Sequence, residues 1–220
     1  MELELYTGDV SPFAQMVEIQ LSAKGIAYTR ALPTREFTRE GEFGEINPLR
    51  KIPTLVIDGT VVPETQVIFE MIEELFPSPR LLPVEPFARS RVRLLSRIAD
   101  VYLAVPMVQL LNNKFDGGGD QVASHAISSI ERGMRGLEHW LEPGRFADGN
   151  ARSLADCTIP PAFFCMIETL PAFEIGGLPP LGAKAAAYYE AIRQDDFVAQ
   201  CMDRARATLE QRTGKVAQQA

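Results

Sequence analysis

Cysteine and histidine are scarce in this chain, at three and two among 220 residues. Cys157, Cys165 and Cys201 are an odd set without metal-type spacing, and they read as buried small hydrophobes or half-exposed thiols. His125 and His139 are too few for a His-based metal site unless carboxylates help, so no metal is expected. Positive charge is also short. Lys and Arg number 22 against 29 Asp and Glu, and the net charge of -7 argues against nucleic acid or an anionic membrane as partner. No apolar run approaches the length of a membrane span. The start, Met1-Glu2-Leu3-Glu4, lacks a basic region ahead of an apolar one, so a cytoplasmic protein is expected. What is left has ordinary globular composition, with length for one large domain or two small ones and for a real core.

The richest stretch runs from Asn47 to Thr65. Asn47-Pro48 marks a turn. Thr54-Leu55-Val56-Ile57 is a short apolar run rich in β-branched residues and predicts a buried strand. Asp58-Gly59 suits a two-residue hairpin turn, because both central residues there need positive φ. Thr60-Val61-Val62 returns, and a helix follows with Val67, Ile68, Met71, Ile72 and Leu75 at helical spacing. Pro53 heads the first strand, where it cannot donate to a ladder. With a cis bond there, the backbone of Ile52 turns outward, and a peptide-like ligand can add itself as a short strand. Glu64 and Thr65 sit at the start of the next helix, whose free N–H groups suit a carboxylate. Thr65 adds a hydroxyl and Glu64 an acceptor for an ammonium. Together they match a small zwitterionic peptide.

In chain order, Leu3–Tyr6 predicts a first strand, Pro12–Lys24 a helix ended by Gly25, and Ala27–Leu32 a second, parallel strand. Residues 36–46 read as a weaker helix or irregular segment. Residues 77–86 carry four prolines and form a linker between a domain spanning 1–76 and one spanning 87–213. The second domain lacks strand signals. Its expected helices are Phe87–Asn113, Gln121–Leu141, Ser153–Thr169, Ala183–Arg193 and Phe197–Thr213, with three glycines between Asp116 and Asp120 forming a loop. Ser153-Leu154-Ala155-Asp156 is a capping-box pattern in its Asp form. Residues 214–220 read as a frayed polar tail.

The ordered set Asn-Pro, Lys-Ile-Pro-Thr-Leu, Asp-Gly and Glu-Thr-x-Val-Ile resembles the glutathione-binding stretch of the cytosolic glutathione S-transferase family, of the bacterial type with serine at the thiolate position. The family's usual Glu-Ser is Glu64-Thr65 here, which keeps the hydroxyl. The resemblance implies an α/β thioredoxin-like N-terminal domain with an all-α C-terminal domain, a homodimer, glutathione as co-substrate and a detoxification role. The Ser153–Asp156 box is typical of that family's second domain.

Glutathione chemistry needs a thiolate near pH 7, and lowering a thiol pKa by about two units takes roughly 2–3 kcal/mol. A hydroxyl donor and a helix N-terminus supply that. Ser11, before Pro12, is both an expected N-cap and the catalytic candidate. Cysteine here would favour mixed disulfides; serine points to transfer, addition, isomerisation or thiolytic cleavage. The chain departs from many relatives in having Gln15-Met16 where they carry Arg-Lys. Tyr6 is the rival to Ser11, since some classes place their tyrosine in this strand. Phe13, Lys51, Ile52, Pro53, Glu64 and Thr65 are the expected glutathione contacts, with Lys51, Arg35 and Arg39 as candidates for the glycyl carboxylate. Asp100 lies about where some members send an acid toward the γ-glutamyl amine. Tyr102, Pro106, Met107, Leu110 and Phe115 are expected to wall a pocket for a small hydrophobic electrophile. The expected function is attack of glutathione thiolate on such a molecule. The alternatives are a specialised glutathione-dependent isomerase, dehalogenase or ether-cleaving lyase, or a non-catalytic binding protein of the same fold.

Overall fold

Leu3 and Leu5 point to one side of an extended segment, and Glu4 and Tyr6 to the other. The computed structural model, which describes residues 1–39, 41–149 and 151–217, makes this segment the inner strand β1 (Leu3–Tyr6). It pairs in parallel with β2 (Thr29–Ala31) and antiparallel with β3 (Thr54–Ile57), which pairs in turn with β4 (Thr60–Pro63). The sheet order is β2-β1-β3-β4. Asp58 and Gly59 both take positive φ, 46° and 82°, as the two-residue hairpin requires.

Helix α1 (Pro12–Ala23) packs against α4 (Thr65–Leu75), and α4 against β3 and β4. The fully buried Leu5, Leu55, Met16, Val17, Ile68, Phe69 and Ile72 form this core. Between β2 and β3 the chain makes two short helices, α2 (Arg35–Arg39) and α3 (Phe43–Ile46), in place of one weak segment. Phe43 is fully buried against Tyr6 and Phe37, with ring centroids 5.3 and 5.8 Å away. The β-α-β unit followed by a β-β-α unit is the thioredoxin-like arrangement. Met1–Arg80 forms one compact unit and the chain from Leu81 onward a second.

The second unit is helical. A continuous helix runs from Pro86 to Asp116 as α5 (Pro86–Arg97), a π-helical segment (Ile98–Ala104) and α6 (Val105–Asp116). Pro86, assigned to the linker from sequence, is its first residue, with Glu85 accepting from the Phe87 and Ala88 N–H groups. This helix corrects the expectation about span-length apolar runs, because by length and composition it could cross a membrane. More than half of its most apolar stretch is buried within the protein, which is how a core helix earns such a composition. Then follow α7 (Asp120–Trp140), α8 (Leu154–Phe164), a π-helical segment (Cys165–Thr169), α9 (Leu170–Ala172), α10 (Ala183–Ile192) and α11 (Asp196–Ala217). Every residue of α8 is buried. Asp156 anchors its start by accepting from Ser153 N–H (2.8 Å), Ser153 Oγ–H (3.0 Å), Ala147 N–H (2.7 Å) and Tyr188 O–H (3.0 Å). The expected tail from Gly214 instead continues α11 to Ala217, a position where glycine costs only about 1 kcal/mol. Residues 218–220 of that expected tail lie outside the described residues.

Candidate functional site

Ser11 is the N-cap of α1, with extended backbone (φ -86°, ψ 114°) and Pro12 in the first turn. Its Oγ accepts from Ala14 N–H at 3.4 Å, a long bond that leaves the hydroxyl proton to donate elsewhere. Phe13 follows, half-buried in the same turn. The N-cap reading and the donor reading are compatible, because capping uses the oxygen lone pair and donation uses the proton.

The preceding loop brings Ser11 to the end of the sheet where β1 leaves and β3 begins. A Cβ on Gly8 would lie 2.9 Å from Ile52 Cδ1 and 3.9 Å from Ser11 Cβ, so a side chain there would make the Ile52 methyl shift. The Ile52–Pro53 peptide bond is cis. The β3 ladder begins at Thr54, opposite Tyr6 and Pro63, so Ile52 stands outside it. Asn47 braces this corner from below. It is 1% exposed, donates to Lys51 C=O (3.1 Å) and Thr54 Oγ1 (2.8 Å), and accepts from Leu49 N–H (3.0 Å). Thr54 Oγ1 adds a second donor to Lys51 C=O at 2.8 Å. Lys51 itself is exposed.

Glu64 is exposed and has φ 71°, a left-handed conformation that is costly for a side chain of its size. Its carbonyl accepts the helical bond from Ile68, while its carboxylate caps nothing. Thr65 is buried in the first turn of α4. Gln66 Nε2 is shielded from solvent with no hydrogen-bond partner, which adds an unsatisfied donor beside Thr65. The α4 N-terminus is thus rich in donors, with one free carboxylate alongside.

Two supports escaped the sequence reading. Arg50, at φ 53°, sends Nη1 to the carbonyls of Arg39 (3.0 Å), Gly41 (3.1 Å) and Thr38 (3.5 Å). Its guanidinium lies over Gly44, where a Cβ would come within 2.4 Å. Arg50 therefore staples the α2 region to the corner before Pro53. Beneath the Ser11 loop, Glu18 and Arg30 pair in a half-sealed cluster. Neither support has a local pattern that spacing alone could reveal.

The remaining candidates separate. Tyr6 packs on Phe43, and burial first and then the neighbouring Glu4 charge raise its pKa. Arg35 and Arg39 are exposed on α2. Asp100 is nearly buried and pairs with Arg97 at 2.5 Å. Of the expected pocket residues, Pro106, Met107 and Leu110 are buried, and Tyr102 and Phe115 are 42% and 55% exposed, Phe115 edge-on to Phe173. His125 hydrogen-bonds Gln121 C=O and His139 packs edge-on to Trp140. All three cysteines are buried and outside any disulfide, and burial pushes the Cys165 thiol up to about 12. A reacting sulfur at this site has to arrive with a ligand. Among the described residues, no group of three or more His, Cys, Asp or Glu is arranged for a metal ion.

The profile of the glutathione S-transferase N-terminal domain matches residues 10–75. A probable maleylacetoacetate isomerase from Caenorhabditis elegans is 32% identical over 167 residues, covering 73% of this chain and 77% of that protein. A stringent starvation protein A homolog from Pasteurella multocida is 28% identical over 89% of this chain and 88% of its own. Among solved structures, the maleylacetoacetate isomerase of Anaeromyxobacter dehalogenans, with glutathione bound in its active site, superposes with a TM-score of 0.71 at 26% identity, over 92% of this chain and 96% of that one. A matched N-terminal domain, a thioredoxin-like sheet followed by helices, and isomerase relatives over most of their length lead to one conclusion: the chain belongs to the glutathione S-transferase family.

Proposed function

We propose that the protein is a glutathione-dependent cis–trans isomerase acting on a small unsaturated keto acid of the maleylacetoacetate type. The observation that carries this reading is the convergence of Ser11, Gly8 and the Ile52–Pro53 corner at one end of the sheet, in a chain whose relatives include maleylacetoacetate isomerases. The generic reading, conjugation of an electrophile, uses the same site but is less well supported by those relatives.

In this reading Ile52 pairs its backbone with the peptide, and Pro53 holds the corner. Phe13 contributes from the first turn of α1. The α4 N-terminus, with Thr65, takes the γ-glutamyl carboxylate, while Glu64 accepts from its ammonium. Lys51, Arg35 and Arg39 are the cations nearest in role to the glycyl carboxylate. When bound, glutathione supplies a thiolate whose reversible addition to a conjugated cis double bond frees rotation, and whose elimination restores the bond as trans and returns the thiol. Ser11 donates a hydrogen bond to that sulfur, and the α1 N-terminus adds its dipole. Serine cannot form the mixed disulfide that cysteine would, which suits a cycle that recovers the thiol unchanged.

The test is isomerisation of maleylacetoacetate or maleylpyruvate followed by absorbance, with and without glutathione. Glutathione-dependent turnover above 1-chloro-2,4-dinitrobenzene conjugation supports the reading. Conjugation, dehalogenation or ether cleavage without isomerisation replaces it with the corresponding member of the family. A second reading, a transferase-fold binding protein without catalysis, is favoured by the Pasteurella stringent starvation protein A homolog. Ser11, Pro53, Glu64 and Thr65 stand against it. No retention on immobilised glutathione and no turnover would establish it. Homodimerisation and a cytoplasmic setting belong to the same proposal.

A further inference from the structure

The loop that delivers Ser11 rests on charges that no step above employs. Glu18, on α1, is 2% exposed. Its Oε1 accepts from Thr7 Oγ1 (2.5 Å) and from Arg30 Nε (3.2 Å) and Nη2 (3.0 Å). The same Nη2 donates to Asp9 Oδ1 at 2.5 Å. Gln15 Nε2 donates to the Asp9 main-chain carbonyl at 2.6 Å, and the Ser11 amide to Gly8 C=O at 2.9 Å. The loop from Thr7 to Ser11 is therefore tied at two residues to α1 and, through Arg30, to β2.

Stability alone is a poor reason for this cluster. Desolvation offsets most of the attraction in a buried ion pair, and apolar side chains of similar volume would do as well. What hydrogen-bonded charges add is direction. Asp9 lies two residues before Ser11, so a shift of the anchored loop carries the Ser11 hydroxyl with it, and misplacement by 1 Å can cost about 100-fold in rate.

We propose that Glu18 and Arg30 are positioning residues: their ion pair clamps the Thr7–Ser11 loop so that the Ser11 hydroxyl meets the glutathione sulfur. The inference rests on the thiolate role given to Ser11 above. Charge signs make it testable. Glu18→Gln removes a negative charge near the sulfur and Arg30→Met a positive one, so a purely electrostatic influence moves the bound thiol's pKa in opposite directions. A positional role degrades both variants alike.

The experiment compares wild type, Glu18→Gln, Arg30→Met and Arg30→Lys at a temperature where circular dichroism finds all four folded. It measures kcat and KM for glutathione, the thiolate absorbance of bound glutathione against pH, and hydrogen exchange of the Ser11 amide without ligand. The expected result is a kcat reduced by about tenfold or more in both the Gln and Met variants. KM should stay within about twofold, the bound thiol pKa should rise in both, Ser11 exchange should quicken, and Arg30→Lys should recover part of the loss. Opposite pKa shifts, or a lower Tm with unchanged kcat, overturn the inference. If the wild type itself neither binds nor ionises glutathione, the functional reading fails. Ligand-free exchange then decides the clamp alone, and an unchanged Ser11 amide in both variants rejects it.

Discussion

In the proposed function Ser11 has two jobs for one hydroxyl, the α1 cap and the donor to the sulfur. Ser11→Ala removes both the cap to Ala14 and the donor, but the 3.4 Å cap is weak, so the loss should fall mainly on catalysis. A hydrogen bond to a charged sulfur contributes about 1.5–3 kcal/mol, which predicts a kcat lower by about 10- to 150-fold with KM for glutathione little changed. Steady-state kinetics check this, and full activity in the variant would move the role to backbone donors or to Tyr6. Tyr6→Phe should leave kcat within about twofold, because the proposal gives the sulfur's donor role to Ser11. The position of Ser11 was legible from Ser-Pro alone, since proline at the first helical turn marks the residue before it.

At the scale of elements, α8 and the α2 region depend on polar residues that hold backbone groups. Burial pushes the Asp156 carboxyl up to about 6 from its ordinary 3.8, against the pull of four donors. The native state thus binds the proton more tightly than the unfolded chain between those pH values. Stability from this group is greatest below pH 4 and is lost as pH rises to 6, by about 3 kcal/mol in all. Denaturant melts at pH 4, 5 and 6.5 should find the wild type losing that amount relative to Asp156→Asn, with the variant's profile flat by comparison. Gly44→Ala should push the Arg50 guanidinium off its three carbonyls, and Arg50→Ala should do the same directly. Both should quicken hydrogen exchange at the Thr38 and Gly41 amides by a similar factor, and a change in only one would disconnect the two residues. The Asp156 box was readable because its partners lie three residues apart. Arg50 and the Glu18–Arg30 pair were not, because their partners lie 9–12 residues away and any arginine looks like solvated charge in a sequence. Helical spacing likewise grouped Met107 and Leu110 with Tyr102 and Phe115, although the first two are buried and the last two exposed.

For the molecule as a whole, the proline-rich stretch at 77–86 and the change from mixed to purely helical patterning were plain in the sequence, and the chain does divide near Arg80. Less visible was that a central helix can be as apolar as a membrane span and still lie mostly inside a protein. Large apolar side chains remain exposed, among them Phe87 at 85% and Val67 at 54%. A homodimer that covers part of such surface should sediment at twice 24.3 kDa, and a species at 24.3 kDa down to nanomolar concentration rejects it. Glu64 has a different kind of reach. Its backbone sits where glycine is at ease and glutamate is not, at a cost on the order of 1 kcal/mol. Selection for heat resistance alone would therefore tend to replace Glu64 with glycine, and under the role proposed for its carboxylate the tougher protein would lose its grip on an ammonium group. On that proposal durability and recognition pull in opposite directions at this one position.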